Sequence, residues 1–255
     1  MESDPRKFKA DMIRRYPKAF ELWGRSQKLL EDAVVVPRDL SSPLSRALDI
    51  LLLQALKSHG SIYVLAVRGH GEDGATILRR LLELAFQIRF IGIGANAGER
   101  GRRAGQYLSW FWMKALDAVK LNVPPAQKQW WQQQYDAHKH LFTNSKGRPT
   151  KHWWGDCSRK ELAAQIGVSQ SYETDYRFLS RMAHGTTQHI LFQQRGSLIE
   201  ICTPLFVEQL LVIGVRYMLA IAEEWNNHFN VIEPVAFQAI AQEAIAFKYS
   251  SLTSG

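Results

Sequence analysis

Residues 72–93 read EDGATILRRLLELAFQIRFIGI. Ile77, Leu78, Leu81, Leu82, Ala85 and Phe86 return every three to four positions, the period of a helix with one buried face. Arg79, Glu83 and Gln87 stand at i, i+4 and i+8 inside that run, so all three share one stripe among apolar neighbours. Charges embedded in such a run need partners. RGHGEDG at 68–74 supplies a turn before the helix, and GIGANAG at 92–98 ends it. This segment sets the reading of the chain as all-α.

The same period recurs on both sides. Residues 5–32 read as a basic helical segment carrying Arg6, Lys7, Lys9, Arg14, Arg15, Lys18, Arg25 and Lys28. A break follows at 36–43, where Ser42 before Pro43 reads as an N-cap with proline in the first turn. A strongly apolar helix then runs to about Val67, with Gly60 inside it. Residues 100–122 form an aromatic helix stopped by Pro124 and Pro125, and another covers about 126–142. Residues 143–156 form a loop rich in Gly, Pro, Lys and Trp. Ser158 with Glu161 three residues on is a capping-box pattern opening a short helix to Ile166, ended by Gly167. Gln188–Phe192 and Ser197–Ile201 are β-prone and flank Gln193-Gln194-Arg195-Gly196, a small hairpin. Pro204 opens a long helix to about Asn227, and Pro234 opens the last, to about Tyr249. The expected fold is all-α, a multi-helix bundle with at most one small β-hairpin near residues 188–201. Its expected organisation is a basic N-terminal helical segment over 1–36 and a single helical domain over 37–255.

The chain has 255 residues, 46% of them hydrophobic, with eight tryptophans, enough to bury a sizeable core. A formal charge of +8 admits an anionic partner such as nucleic acid without requiring one. Two cysteines, Cys157 and Cys202, make no disulfide framework and read as free thiols in a reducing compartment. The N-terminal residues MESDPRKFKADMIRRYPK contain no apolar core of a secretory signal. Leu205 to Ala222 is the longest apolar run, but Glu208 and Arg216 within it argue for a buried amphipathic helix and against a membrane span. The expected location is the cytoplasm, with no membrane partner.

Residues 171–185, SYETDYRFLSRMAHG, carry the chemistry. Wound at about 100° per residue, Glu173, Arg177, Ser180 and His184 fall within about 60° of one another, with Arg181 beside them. Tyr172, Phe178, Leu179, Met182 and Ala183 take the other side, where Asp175 is the one polar intruder. Glu173 precedes Arg177 by four residues, the favourable order for a helical ion pair. A guanidinium beside an imidazole suits phosphodiester chemistry. The histidine moves a proton from a ribose 2′-hydroxyl or to the leaving oxygen, and the arginine holds the phosphate by two hydrogen bonds. Ser180 or Tyr176 could orient the histidine. The same residues also admit a structural reading, in which His184 stabilises a helix end before Gly185 and Arg177 merely pairs with Glu173. Glu83 is a candidate mate for Arg177 or His184 across a helix interface, with Arg79 beside it.

The loop at 143–156 offers Lys146, Arg148, Lys151, Trp153 and Trp154, cations interleaved with aromatics as single-stranded nucleic acid requires. The alternative is two tryptophans anchoring a loop to the core. Arg100, Arg102 and Arg103 are open to the same two readings. His152, Asp156 and Cys157 match no usual metal spacing, so no metal or other cofactor is expected. Residues 160–176 echo a helix-turn-helix at Ala163, Gly167, Val168 and Ser169. Glu173, however, falls where that motif needs an apolar residue, and Glu173 with Asp175 makes its second helix acidic.

With Arg79 and Glu83 on an apolar helix, the Trp154-Gly155 element, and Tyr172, Tyr176, Arg177, Ser180 and His184, the chain resembles a bacterial family of helical proteins of unknown function over roughly residues 40–230. Arg177 followed by six residues and His184 is also similar to the signature of the HEPN superfamily, helical bundles that include toxin and antiviral ribonucleases. Phe178 stands where those proteins often have a polar residue. The HEPN likeness implies a metal-independent endoribonuclease of a toxin or defence system. Its site would be composed at a homodimer interface, with Arg177 and His184 as the catalytic pair and RNA as the partner. The alternative expectation is a non-catalytic helical module that binds protein or nucleic acid.

Overall fold

The structure is a computed structural model and describes residues 5–118, 124–183, 194–195, 198–199 and 206–249. It is an all-α multi-helix fold. Helices α1 (Pro5–Arg15), α2 (Pro17–Val34), α3 (Pro43–Ala66), α4 (Gly71–Gly92), α5 (Ala97–Ala118), α6 (Pro125–His138) and α7 (Arg159–Gln165) lead to a helical segment over 169–183. Its last part is α8 (Arg177–Ala183), followed later by α9 (Val207–Phe229) and α10 (Pro234–Ala246).

The boundaries follow from local chemistry. Pro17 lacks an amide hydrogen and forces Tyr16 out of helical geometry (φ −126°, ψ 49°), so the expected single helix over 5–32 is two helices. The Ser42 hydroxyl oxygen accepts from the Ser45 amide at 3.0 Å, with Pro43 next in line, and starts α3 as expected. Ser158 and Glu161 form a reciprocal capping box at α7, and Gly167 ends that turn at a φ of +74° that favours glycine. The helix expected over 126–142 ends at His138, and its last turn, Lys139–Phe142, tightens to a 3₁₀ helix.

The hairpin exists in a shifted place. Gln194 pairs with Ile199 and Arg195 with Leu198, so strand pairing occupies two residues that the sequence reading placed in the loop. Gly196 and Ser197 lie outside the described residues. Gln188–Phe192 lies outside the described residues.

Two compact units make up the chain. One gathers the described residues of Met1–Arg38, Ile50–Ile88 and Gln170–Gly255, the other Asp39–Asp49 and Arg89–Ser169. In the first unit α2 and α9 pack along each other. Met12, Tyr16, Ala19 and Phe20 meet Ala66, Val67, Val207, Leu211 and Val212 in one buried cluster, and Leu22 joins Val215, Leu219, Ile240 and Ala244 in another. Each fully buried Leu, Val or Ile there contributes roughly 1.5–3 kcal/mol of hydrophobic stabilisation. The second unit is held by aromatic edges: Trp110 on Phe142 at 5.0 Å and Trp112 on Trp130 at 4.9 Å between ring centroids. Among the described residues no helix is long and apolar enough to cross a membrane.

Candidate functional site

The polar residues of the first unit converge on the segment over 169–183. Its first turn is Ser169–Ser171, its middle, Tyr172–Tyr176, is a π-helical turn, and α8 follows without a break. A π turn bonds i to i+5 and inserts a residue into the helical phase, an arrangement frequent at functional sites. The uniform 100° phase expected over residues 171–185 therefore does not hold across Tyr172–Tyr176. Tyr176 is turned inward and buried, with Leu179 and Met182 beyond it on the buried face.

Tyr176 joins the two stripes. Its hydroxyl accepts from the Arg79 guanidinium at 3.2 Å and donates to Glu83 Oε1 at 3.1 Å. Arg79 Nε lies 3.5 Å from the same carboxylate. The Arg79 guanidinium also sits over the Tyr176 ring, 5.2 Å from its centroid, and Phe86 stacks on that ring at 6.3 Å. The embedded charges of α4 thus find their partner in this segment. Tyr176, not Arg177, is the residue that meets them. Arg177 pairs instead with Glu173, at 2.8 Å, and its side chain is 63% exposed. Physically this is the cheaper arrangement, because a guanidinium that stays in water needs no buried counter-charge.

Asp175 is the intruder on the apolar side, and the structure supplies its reason. The Tyr217 hydroxyl of α9 donates to the Asp175 carboxylate. Burial, and then the Asp175 charge, push the Tyr217 pKa up, so the phenol keeps its proton and remains a donor. Sequence reasoning missed Tyr217; a carboxylate on an apolar face was the signal that some donor had to reach it. Replacing Tyr217 by Phe is expected to cost about 1–3 kcal/mol of unfolding free energy, since the half-buried carboxylate loses this donor. Asp175→Asn, which keeps an acceptor, should cost less. Equal urea midpoints for wild type and Tyr217→Phe would show that the contact carries no stability.

Among the other candidates, the Ser180 hydroxyl is buried and makes no hydrogen bond among the described residues. Arg181 is exposed on α8. His184 lies outside the described residues.

The second unit sorts the basic-aromatic loop. Asn144 Oδ1 accepts from the amides of Lys146 and Arg148, both at 3.0 Å, and Asn144 donates to Asp156 at 2.8 Å. Asp156 also accepts from the Lys151 amide at 3.1 Å. These bonds fix the loop's path and leave Lys146, Arg148 and Lys151 at the surface. Trp153 is only 4% exposed, with Phe90 and Tyr107 edge-on at 5.5 Å and 5.3 Å. It anchors the loop and has no face left for a base. Trp154 is half-buried, gives its indole N–H to the Cys157 carbonyl at 3.2 Å, and stacks on His152 at 4.4 Å and 10°. Of the arginine cluster, Arg103 pairs with Glu99 at 2.7 Å and covers Phe90, and Arg102 reaches Gln106 at 2.8 Å.

Residues 46–196 match a family model, and this span contains the helix with Arg79 and Glu83, the Trp154-Gly155 element and the segment through Tyr176 and Arg177. The chain belongs to DUF5677, a family of unknown function. The DUF5677 span includes the Arg79–Glu83–Tyr176 cluster and the loop of the second unit, while Tyr217 lies beyond it. No curated protein and no solved structure matches the chain.

Proposed function

We propose that this DUF5677 chain is a metal-independent endoribonuclease of HEPN type, working as a homodimer in a toxin or antiviral defence system. The observation that carries the reading is the position of Arg177. Its side chain is 63% exposed, yet it follows directly on a π turn whose last residue is locked between Arg79 and Glu83. A cation fixed at its root, largely exposed and held by a carboxylate on its own helical segment suits a phosphate clamp. Ser180, four residues before His184 in the sequence, has a buried hydroxyl without a partner among the described residues, a group able to orient the imidazole. In this mechanism His184 takes the 2′-hydroxyl proton and Arg177 stabilises the charge that grows on the phosphorus oxygens. One histidine cannot be base and acid at once, so a second copy supplies the acid.

Purified protein incubated with single-stranded RNA and a chelator is expected to cleave it, and His184→Ala is expected to abolish cleavage with the melting temperature unchanged. Cleavage that survives His184→Ala, or a strictly monomeric active protein, would remove this reading. The second reading, a non-catalytic module, is favoured by the Arg177–Glu173 pair within one helix. It predicts RNA bound and released intact.

A further inference from the structure

The second unit carries a surface that the catalytic pair does not use. The His152 ring lies flat on Trp154, 4.4 Å between centroids and 10° between planes. The backbone bends so that His152 and Gly155 exchange both amide hydrogen bonds, at 3.1 Å and 3.0 Å, which sets the two rings one above the other. Gly155 has φ +114°, a conformation closed to residues with a Cβ, so the turn that makes the stack requires glycine there. The indole beneath is tied to the Cys157 carbonyl and edge-packed by the buried Trp153 at 5.7 Å. The stack is thus built from below and ends at an imidazole at the surface.

Three cations from three elements act on that imidazole. Partial burial lowers the His152 pKa first, followed by the charges of Arg159 at the start of α7, Lys151 in the loop and Lys114 on α5; Asp156 works the other way. Lys151 is exposed and directly precedes His152 in the chain, so at least one of these cations stands beside the ring at the surface. Asp156 is already engaged with Asn144 and the Lys151 amide.

We propose that the His152–Trp154 stack, with the exposed Lys151 next to it and Lys114 and Arg159 adding to the local positive charge, is a binding site for single-stranded RNA. One unpaired base extends the stack on the outer face of His152, and the phosphates on either side of it lie among the three cations. Stacking on an aromatic face tolerates any base, and the cations follow the backbone, so the site reads strandedness and not sequence. A duplex offers no free base face and binds here through charge alone. The inference takes RNA from the reading above and adds where the strand is held.

The test is fluorescence anisotropy with a labelled single-stranded RNA of about eight nucleotides, near the site size of such surfaces, beside the matching duplex. His152→Ala is expected to raise the Kd about tenfold, and Lys151→Glu to raise it further and flatten its salt dependence. His152→Phe restores the stacking face and should return the affinity to near wild type, which a merely misfolded loop would not do. Affinity unchanged in both His152→Ala and Lys151→Glu, equal affinity for duplex and single strand, or no binding by the wild type overturns the site. Tighter single-strand binding that depends on His152, in a protein that never cleaves, keeps the site and removes the ribonuclease. Cleavage by a protein indifferent to His152 does the reverse.

Discussion

Lowering the pH from 7 to 5 is expected to strip about 2 kcal/mol from the unfolding free energy, most of it through His59. This histidine on α3 is fully buried, stacked on Trp23 at 5.1 Å. Its Nδ1 lies 2.8 Å from Gln27 Oε1, and Gln27 gives its own amide hydrogen to Glu31 at 2.7 Å. That orientation makes Gln27 Oε1 the acceptor, so Nδ1 is the protonated nitrogen of a neutral ring. Among the described residues Nε2 is buried with no partner, and a second proton there would be a charge shielded from solvent. Burial accordingly drives the His59 pKa down to about 3 from its ordinary 6.5.

The sign follows from linkage. Between those two values the unfolded chain holds a proton that the folded chain refuses. Stability is therefore complete above pH 6.5 and falls as the pH drops toward 3, by about 1.4 kcal/mol per unit. The full loss is roughly 4–5 kcal/mol, a large part of a typical 5–15 kcal/mol total. Most carboxylates titrate below pH 5, so the interval from 7 to 5 isolates histidine. Urea unfolding of the wild type at the two pH values should show the drop, and His59→Leu should lose most of it whatever its own stability. A wild-type unfolding free energy that holds steady across the interval would mean that His59 is not buried neutral.

How much of this was legible beforehand depends on whether the physics was local. Ser42 and Pro43, the Ser158–Glu161 capping box and the apolar period of α4 act within one turn of chain, and each was readable from spacing alone. Pro17 was readable in principle, since proline restricts the residue before it, but the uninterrupted basic pattern masked it. The π turn was not readable. An i to i+5 turn has no composition of its own; it survives here where Tyr176 reaches Arg79 and Glu83 on another helix. Its consequence is the main revision at the site. The two charged stripes do meet, but through a tyrosine that the uniform period put beside the reactive groups, not through Arg177.

The loop teaches the same point at the scale of adjacent residues. Trp153 and Trp154 are chemically identical, and composition assigns both to stacking on a ligand or both to anchoring. The fold divides them: Trp153 goes inward against Phe90 and Tyr107, and Trp154 outward beneath His152. In the sequence His152 offers itself only as a metal ligand, because its value as a ring surface appears only once the turn at Gly155 has folded the chain back. Asp175 and Tyr217 stand 42 residues apart, beyond any periodicity. The need for a partner was visible, its identity was not.

Replacing Arg177 by lysine is expected to lower the rate of RNA cleavage about 100-fold or more while leaving the urea midpoint in place. The two halves of that expectation have separate causes. The Arg177–Glu173 pair is exposed, within one helix, and open to solvent screening, so its loss removes little from the folded state. Transition-state charge is a different matter. A guanidinium presents two parallel donors to two phosphate oxygens, and an ammonium on a flexible stem presents one point charge; losing such a preorganised donor typically costs 10²–10³ in rate. Glu173 sharpens the test. Its carboxylate holds Arg177 in the structure and, in the proposed mechanism, would compete with the phosphate for the same N–H groups, so Glu173→Gln should free the arginine and lower KM, with kcat little changed. A purely structural pair predicts the opposite pattern: both substitutions alter stability slightly and neither alters cleavage. If Arg177→Lys cleaves RNA at the wild-type rate, the guanidinium is a surface charge and the catalytic assignment of this helix fails with it.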